Sequence, residues 1–191
     1  DTTDPYRILV SEVMLQQTQV SRVLEKYVQF IRAFPTIRSL SKAKLSRILE
    51  VWQGLGYNRR ALLLQKLAKK VVADYAGRIP SDRAVLKTLP GIGDATAGSL
   101  CAFAFDQPVV FIETNIRSVF IHHFFKPGVT VGDRQILPLV GKTLDTRHPR
   151  EWYYALMDYG VYLKRIMPNP SRKSEHYSRQ SRFEGSDRQI R

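Results

Sequence analysis

The sequence has a single cysteine, few acidic residues and no long run of uncharged apolar residues. Cys101 alone cannot form a disulfide within the chain or supply the four thiolates of a metal cluster. No apolar stretch reaches the roughly 20 residues that span a bilayer, and no signal-peptide pattern opens the chain. We therefore expect a cytoplasmic protein that has no membrane partner.

Acidic residues are strongly outnumbered, with 17 Asp and Glu against 30 Lys and Arg, which gives a net charge of +13. An excess of this size favours a polyanionic partner, and nucleic acid is the commonest one. The apolar fraction of 43% is high enough to bury a core, and 191 residues suffice for one domain or two small lobes.

Apolar residues recur at helical spacing through most of the chain, which predicts an all-α fold. One face combines Val20, Val23, Leu24, Tyr27, Val28 and Ile31. A long amphipathic helix is predicted over residues 59–75, closed by Gly77, and the last packed helix over 151–164. Residues 107–112 resemble a short buried strand, but no partner strand is evident.

A proline- and glycine-rich turn lies between two predicted helices, in the sequence Leu89-Pro90-Gly91-Ile92-Gly93-Asp94-Ala95-Thr96-Ala97. The two glycines permit positive φ and let another backbone come close. The helix that follows would point its unpaired N–H groups outward, at the positive end of its dipole, which suits a phosphate. An ordinary helix–helix turn is the alternative.

Two carboxylates stand out against apolar surroundings. Glu12 lies in an apolar helical run that four polar residues then interrupt, and burial there would raise its pKa and keep it protonated. Glu113 follows the apolar run 109–112 at a predicted helix start. The alternatives are a Glu12 paired with a buried Arg and a Glu113 that only caps its helix. Cleavage of a sugar–base bond needs such a proton donor and such an anion.

Several motifs resemble one family when taken in order. They are Asp4-Pro5-Tyr6, Ser11-Glu12-Val13-Met14-Leu15-Gln16-Gln17-Thr18-Gln19-Val20, Trp52-Gln53-Gly54-Leu55-Gly56-Tyr57, the turn above, and Leu156-Met157-Asp158-Tyr159-Gly160. The chain thus resembles the helix-hairpin-helix (HhH-GPD) DNA glycosylase superfamily, which includes endonuclease III. Within it, the chain is most similar to the A/G-mismatch adenine glycosylases, over roughly residues 4–163.

The resemblance implies two helical lobes with a DNA-binding cleft. It predicts a glycosylase core over 1–163, with a middle lobe at about 20–125 and a second lobe from the N-terminal helix plus about 126–163. Most relatives end in a cysteine-ligated iron–sulfur cluster. Here a basic tail over 164–191 stands in its place, and we propose that it contacts phosphates. A flexible solvated end is the alternative.

The resemblance also implies roles for residues. Glu12 would protonate the departing adenine, and Glu113 would offset the charge of the sugar from a position that the family fills with Asp. Ala95 stands where bifunctional members carry a lysine, which implies no lyase activity. The predicted DNA-binding residues are Gln17, Tyr57, Asn58, Gly91, Gly93, Thr96 and Asn115, where Asn115 supports the active site.

The resulting prediction is a monofunctional, nucleoid-associated and monomeric DNA glycosylase. It would act on double-stranded DNA and remove a flipped-out adenine opposite G or 8-oxoguanine. No cofactor is expected beyond a monovalent cation at the hairpin. Asn58 stands where adenine glycosylases usually have a second Tyr, so uracil or thymine removal from G mismatches stays open. A non-catalytic DNA-structure binder also stays open, in case Glu113 cannot replace Asp.

Overall fold

The structure, a computed structural model, describes residues 2–126, 128–175 and 177, and helices joined by turns and irregular segments make up its fold there. One isolated bridge between Val131 and Ser174 is the only β-type pairing in those residues. The predicted all-α class is confirmed. The helices are α1 (Pro5–Leu15), α2 (Val20–Ala33), α3 (Ile37–Lys42), α4 (Leu45–Trp52), α5 (Arg59–Asp74), α6 (Arg83–Lys87), α7 (Asp94–Phe105), α8 (Thr114–Phe124), α9 (Asp133–Thr143), α10 (Pro149–Ile166) and a 3-10 helix (Pro170–Lys173).

Local sequence explains where several helices begin and end. Asp4 caps α1 by accepting a hydrogen bond from the N–H of Tyr6 at 2.8 Å. Asp82 caps α6 in the same way through the N–H of Val85. After α5, Gly77 has φ +80° and donates its N–H to Val71 O at 2.9 Å, so it closes this helix as predicted.

The described residues form two compact units, of which one ends at Leu100 and the other begins at Cys101. In the first unit, α1 packs on α2 and α5, and α4 packs on α2 and α5. Phe30 is fully buried there and meets Phe34 and Trp52 edge-on, with ring centroids 4.9 and 5.7 Å away. The predicted lobe boundaries fall elsewhere in the chain and stay a prediction.

Helix α2 buries only part of the face that the sequence predicts. Val23 and Phe30 are buried, whereas Val20, Leu24 and Val28 are 59%, 63% and 46% exposed. The predicted helix is present, but three of the six residues on its apolar face stay exposed. Apolar spacing finds an amphipathic helix but does not tell how wide a stripe its neighbours cover.

In the second unit, α8 packs against α9, α10 and the 3-10 helix. The segment 106–113 is irregular rather than a strand. It is held by Phe111, whose ring lies 4.4 Å from that of Tyr153, and by the Tyr153 hydroxyl, which donates to Val109 O at 2.6 Å. Arg117 and Asp133 join α8 to α9 through two hydrogen bonds of 2.8 Å.

The chain after residue 164 does not begin as the extended tail that its composition suggests. Residues 164–166 complete α10, and the 3-10 helix packs on the start of α8. Ser171 Oγ lies 2.6 Å from Ser118 Oγ and donates to Thr114 O at 3.1 Å. These tertiary hydrogen bonds give a proline- and serine-rich segment a fixed place that periodicity cannot predict. Residues 178–191 of the predicted tail lie outside the described residues.

Candidate active site

Glu12 lies in the second half of α1, in a helix whose other inward residues are fully enclosed. Val13 and Met14 beside it are 5% and 0% exposed, whereas Glu12 keeps part of its surface open. Glu12 is therefore half-buried. Its role as proton donor stays a prediction.

The polar run after Glu12 forms a turn. Helix α1 ends at Leu15, and Gln17 has φ +56°, a left-handed conformation that non-glycine residues seldom adopt. Gln16 Nε2 donates to Thr96 Oγ1 at 3.2 Å, which ties the end of α1 to the start of α7. The exposed Gln17 side chain therefore projects from a turn that these interactions hold in one backbone conformation.

Arg60 organises this turn together with a second one. Its guanidinium is buried beside two aromatic rings. Arg60 Cζ lies 5.4 Å from the ring centroid of Trp52 and 5.3 Å from that of Tyr57. Burial lowers the pKa of Arg60 to about 10, which leaves it charged at neutral pH. Its two terminal nitrogens lie within hydrogen-bond distance of six acceptors: Val13 O, Met14 O, Gln16 O, Thr18 Oγ1, Leu55 O and Gly56 O.

Tyr57 and Asn58 form the surface of the second turn. Tyr57 has φ +50° and is 38% exposed, and Asn58 is exposed at the start of α5. Arg60 therefore holds the backbones of two turns that each carry a residue of the predicted DNA-binding set in a left-handed conformation. A positive group at the end of α1 also stabilises its helix dipole.

The hairpin of the first unit joins α6 to α7. Gly91 has φ +81°, and a Cβ there would stand 3.0 Å from Leu63 Cβ, so both the backbone and the packing require glycine. At Gly93 a Cβ would meet nothing within 4 Å, which leaves open space at the turn. The first N–H groups of α7 point away from the helix body and suit an anion.

Two details modify the predicted hairpin site. Thr96 is 9% exposed and its hydroxyl accepts from Gln16 Nε2, so its side chain is largely withdrawn from the surface. Asp94 at the helix start pairs with Arg83 at 2.8 Å and Lys87 at 2.9 Å. These two cations more than balance the carboxylate, and the Lys87 hydrogen bond contributes most to lowering the pKa of Asp94.

In the second unit, Glu113 is the N-cap of α8. Its Oε1 accepts from the N–H of Ile116 at 2.8 Å and from the N–H of Asn115 at a shorter distance. Its Oε2 lies 3.4 Å from Asn115 Nδ2. The capping alternative is thus correct as structure, and it leaves the second oxygen on the side of Asn115.

The Asn115 side chain links Glu113 to α10. Its Oδ1 accepts from Lys164 Nζ at 2.6 Å, and its Nδ2 also lies 3.8 Å from Met157 Sδ. Burial raises the pKa of Glu113, while the two backbone N–H donors and the charges of Lys164 and Arg117 oppose that rise. Burial lowers the pKa of Lys164, and the negative charge of Glu113 opposes that fall.

The predicted site residues are thus divided between the units. Glu12, Gln17, Tyr57, Asn58 and the hairpin belong to the first, and Glu113 and Asn115 belong to the second. That Glu12 and Glu113 face one extruded nucleoside stays a prediction.

Sequence reasoning missed Arg60 and Lys164. Both occupy helix positions that spacing assigns to the inward face. Arg60 precedes the buried Leu64 by four residues, and Lys164 follows the buried Gly160 by four. A basic residue at an inward helical position is the pattern that could have identified both.

Metal and membrane features are few in the part of the chain that the structure describes. It contains no group of three or more His, Cys, Asp or Glu arranged to hold a metal ion. The iron–sulfur cluster of the family does not fit this sequence, because Cys101 is its single cysteine and is fully buried in α7. No described helix combines the length and apolar character needed to cross a membrane.

Comparison with known proteins identifies relatives of this sequence. The profile of the HhH-GPD superfamily base excision DNA repair proteins matches residues 10–133. The adenine DNA glycosylase of Buchnera aphidicola is 36% identical over 164 residues, which cover 84% of this chain and 46% of that protein. The human adenine DNA glycosylase is 35% identical over 160 residues, 82% of this chain and 29% of that protein. In Mycolicibacterium smegmatis the corresponding enzyme is 41% identical, and the match covers 82% and 54% of the two chains.

Solved structures share the fold. A thermostable thymine-DNA glycosylase superposes with a TM-score of 0.76 at 24% identity, covering 90% of this chain and 81% of that one. Endonuclease III in a non-covalent DNA complex gives 0.67 at 21% identity, covering 85% and 74%. The fold is therefore endonuclease III-like, as predicted. The chain spans about half or less of the length of these adenine DNA glycosylases.

Proposed function

Because the chain belongs to the HhH-GPD superfamily of base excision DNA repair proteins, we propose that it removes adenine from mispairs with G or 8-oxoguanine in double-stranded DNA. The observation that carries this proposal is the 34–41% identity to adenine DNA glycosylases from bacteria and mammals. The half-buried Glu12 of α1 and Glu113 at the start of α8, each within its own unit, support it.

The proposed reaction is hydrolysis of the bond between adenine and deoxyribose. The adenine leaves the stack, Glu12 donates a proton to it, and the bond from the sugar to the base breaks with its electrons going to the base. The Glu113 carboxylate offsets the positive charge that develops on the sugar. Water adds to the anomeric carbon and gives up one proton, which returns Glu12 to its protonated form. The products are free adenine and an abasic site.

The first unit supplies the proposed DNA contacts. Gln17 and Tyr57, on turns that Arg60 holds, would enter the duplex beside the extruded nucleotide. The hairpin around Gly91 and Gly93 would bind a phosphate through backbone N–H groups, and a monovalent cation there is part of the proposal. The basic residues of the chain would supply further phosphate contacts, including those of the tail after the 3-10 helix.

Strand cleavage is not part of the proposed reaction. Ala95 stands exposed in the first turn of α7, where bifunctional relatives carry the lysine that attacks the sugar. A methyl group cannot form a Schiff base. We also propose that the protein works without an iron–sulfur cluster, as a monomer, at the nucleoid of the cytoplasm.

Removal of uracil or thymine from G mismatches is the second candidate. The exposed Asn58 favours it, because adenine glycosylases usually have a tyrosine there beside the opposing base. Glu12 opposes it, since pyrimidine release needs no proton on the N7 atom of a purine.

One panel of substrates tests these proposals. Duplexes with A opposite G, A opposite 8-oxoguanine, U opposite G and T opposite G are incubated with the protein and then treated with alkali. Cleavage at adenine alone supports the proposal, and cleavage at uracil or thymine alone supports the second candidate. Binding without any cleavage identifies a DNA-structure binder. Strand breakage before the alkali step contradicts the absence of lyase activity.

A further inference from the structure

The start of α8, which carries Glu113, is pressed against α10. At Gly160 a Cβ would stand 2.6 Å from Asn115 Cβ and 2.7 Å from Asn115 O, far closer than two such atoms approach. Only glycine lets the two helices come this near. The backbone of Asn115 is therefore fixed against one face of α10.

That face of α10 also surrounds the Asn115 side chain. Met157 and Lys164 lie three residues before and four residues after Gly160, so all three project from the same side of the helix. Met157 Sδ is 3.8 Å from Asn115 Nδ2, and Lys164 Nζ is 2.6 Å from Asn115 Oδ1. With its oxygen held by an ammonium group, the amide must turn its NH₂ group toward Glu113 Oε2.

The positive charge of Lys164 also acts on Glu113. Lys164 is half-buried and its positive charge stabilises the anionic form of Glu113, against the burial that raises the pKa of this carboxyl. The positive charge of Arg117 on α8 acts in the same direction, but this group is paired with Asp133 of α9. Lys164 is therefore the cation on α10 that faces the Glu113–Asn115 pair.

We propose that Lys164 is a positioning residue for Glu113: it holds the Asn115 amide against Glu113 Oε2 and supplies a positive charge that favours the anionic carboxylate. This inference rests on the proposed function, in which Glu113 must be ionised at the moment the sugar becomes positive. It gives the end of α10 a role in the proposed reaction that the two carboxylates alone do not indicate.

The test compares Lys164→Met with the wild-type protein and with Lys164→Arg. Methionine has a similar volume and fills the half-buried space, so the variant should fold. Single-turnover adenine release is measured from pH 5 to 9 at saturating protein with an A opposite 8-oxoguanine duplex. Arg165→Met, which removes a charge from an exposed position of the same helix, is the matched control.

Loss of the Lys164 charge makes Glu113 harder to ionise, so the rising acid limb of the rate profile should move to higher pH. The rate at neutral pH should fall roughly tenfold to a hundredfold with little change in DNA affinity. Lys164→Arg should restore most of the rate and the position of the limb. Arg165→Met should leave the limb in place.

A second measurement tests the effect of Lys164 on Glu113 without an activity assay. The carboxyl carbon of Glu113, assigned with Glu113→Gln, is titrated by ¹³C NMR in the DNA-free protein. A higher pKa in Lys164→Met than in wild type supports the inference, even if no base in the panel is released and the proposed function fails. An unchanged titration overturns it, even if adenine is released. Borohydride trapping on DNA is a further check. If borohydride traps the wild-type protein on DNA and does not trap Lys164→Met, the inference is overturned, because Lys164 would then be a nucleophile.

Discussion

Arg60 is the residue that holds together the two turns carrying Gln17, Tyr57 and Asn58 of the predicted DNA-binding set. Its guanidinium satisfies three carbonyls at the end of α1 and two in the turn before α5. A lysine offers three donors from one point and cannot span both turns, so a guanidinium is required here.

Replacing Arg60 by Met should lower the free energy of unfolding by about 2–4 kcal/mol, because the buried carbonyls lose their donors. Chemical denaturation followed by circular dichroism measures this. The neighbouring Arg59→Met, at an exposed position, should change it by no more than about 0.5 kcal/mol. Equal losses in the two variants would contradict the central role of Arg60.

Residue types with a special chemistry were easier to predict than residues that support them. The helix start at Glu113 and the turn around Gly91 follow from local sequence, and the structure shows a helix that begins after Glu113 and a positive φ at Gly91. The contact between Lys164 and Asn115 joins positions 49 apart. No local pattern specifies that pair, because the approach of α10 to α8 depends on tertiary packing.

At the scale of elements, the α8–α10 contact sets the geometry of the second unit. Gly160 allows it, and the Ser118–Ser171 contact fixes the 3-10 helix against α8. The first turn of α8 is thus held by both α10 and the 3-10 helix, which suits the role proposed for Glu113.

Gly160→Ala should separate α8 from α10 and destabilise the protein by about 1–3 kcal/mol through overpacking. Gly141→Ala in α9 is the control, because a Cβ at this position would meet Val110 Cγ2 at 3.5 Å, an ordinary van der Waals distance. This control should stabilise the protein by up to about 1 kcal/mol, since alanine favours helix more than glycine. Thermal unfolding of both variants tests the difference, and a neutral Gly160→Ala would contradict the close packing.

Most helices were predictable from apolar spacing, and their ends from caps and glycines. Helix α3 was missed because six residues are too few to show periodicity, although Thr36 and Ser39 form a reciprocal cap at its start. The exposed Val20, Leu24 and Val28 show the converse limit. Spacing identifies an apolar stripe, but only the packed neighbours decide how much of it is buried.

At the scale of the whole molecule, the net charge of +13 is the property that bears most on DNA binding. Binding that rests on phosphate contacts releases counterions and weakens as salt is added. The excess of cations was evident from composition alone, because it needs no knowledge of the fold.

Raising the salt from about 50 to about 200 mM should weaken DNA binding by on the order of a hundredfold, as expected for about four phosphate contacts. Fluorescence anisotropy with a labelled duplex measures this. The slope should be the same with and without a mismatch, because phosphates carry no sequence information. An affinity that does not respond to salt would contradict an electrostatic interface.

Adenine release by Glu12→Gln tests the central claim most directly, since Glu12 is the proposed proton donor. The exposed Glu25→Gln on α2 is the matched control. With an A opposite 8-oxoguanine duplex under single-turnover conditions, we expect Glu12→Gln to lose release by roughly a hundredfold or more while it binds DNA as tightly as wild type. Release at the rate of wild type and of Glu25→Gln would remove Glu12 from the chemistry and contradict the account.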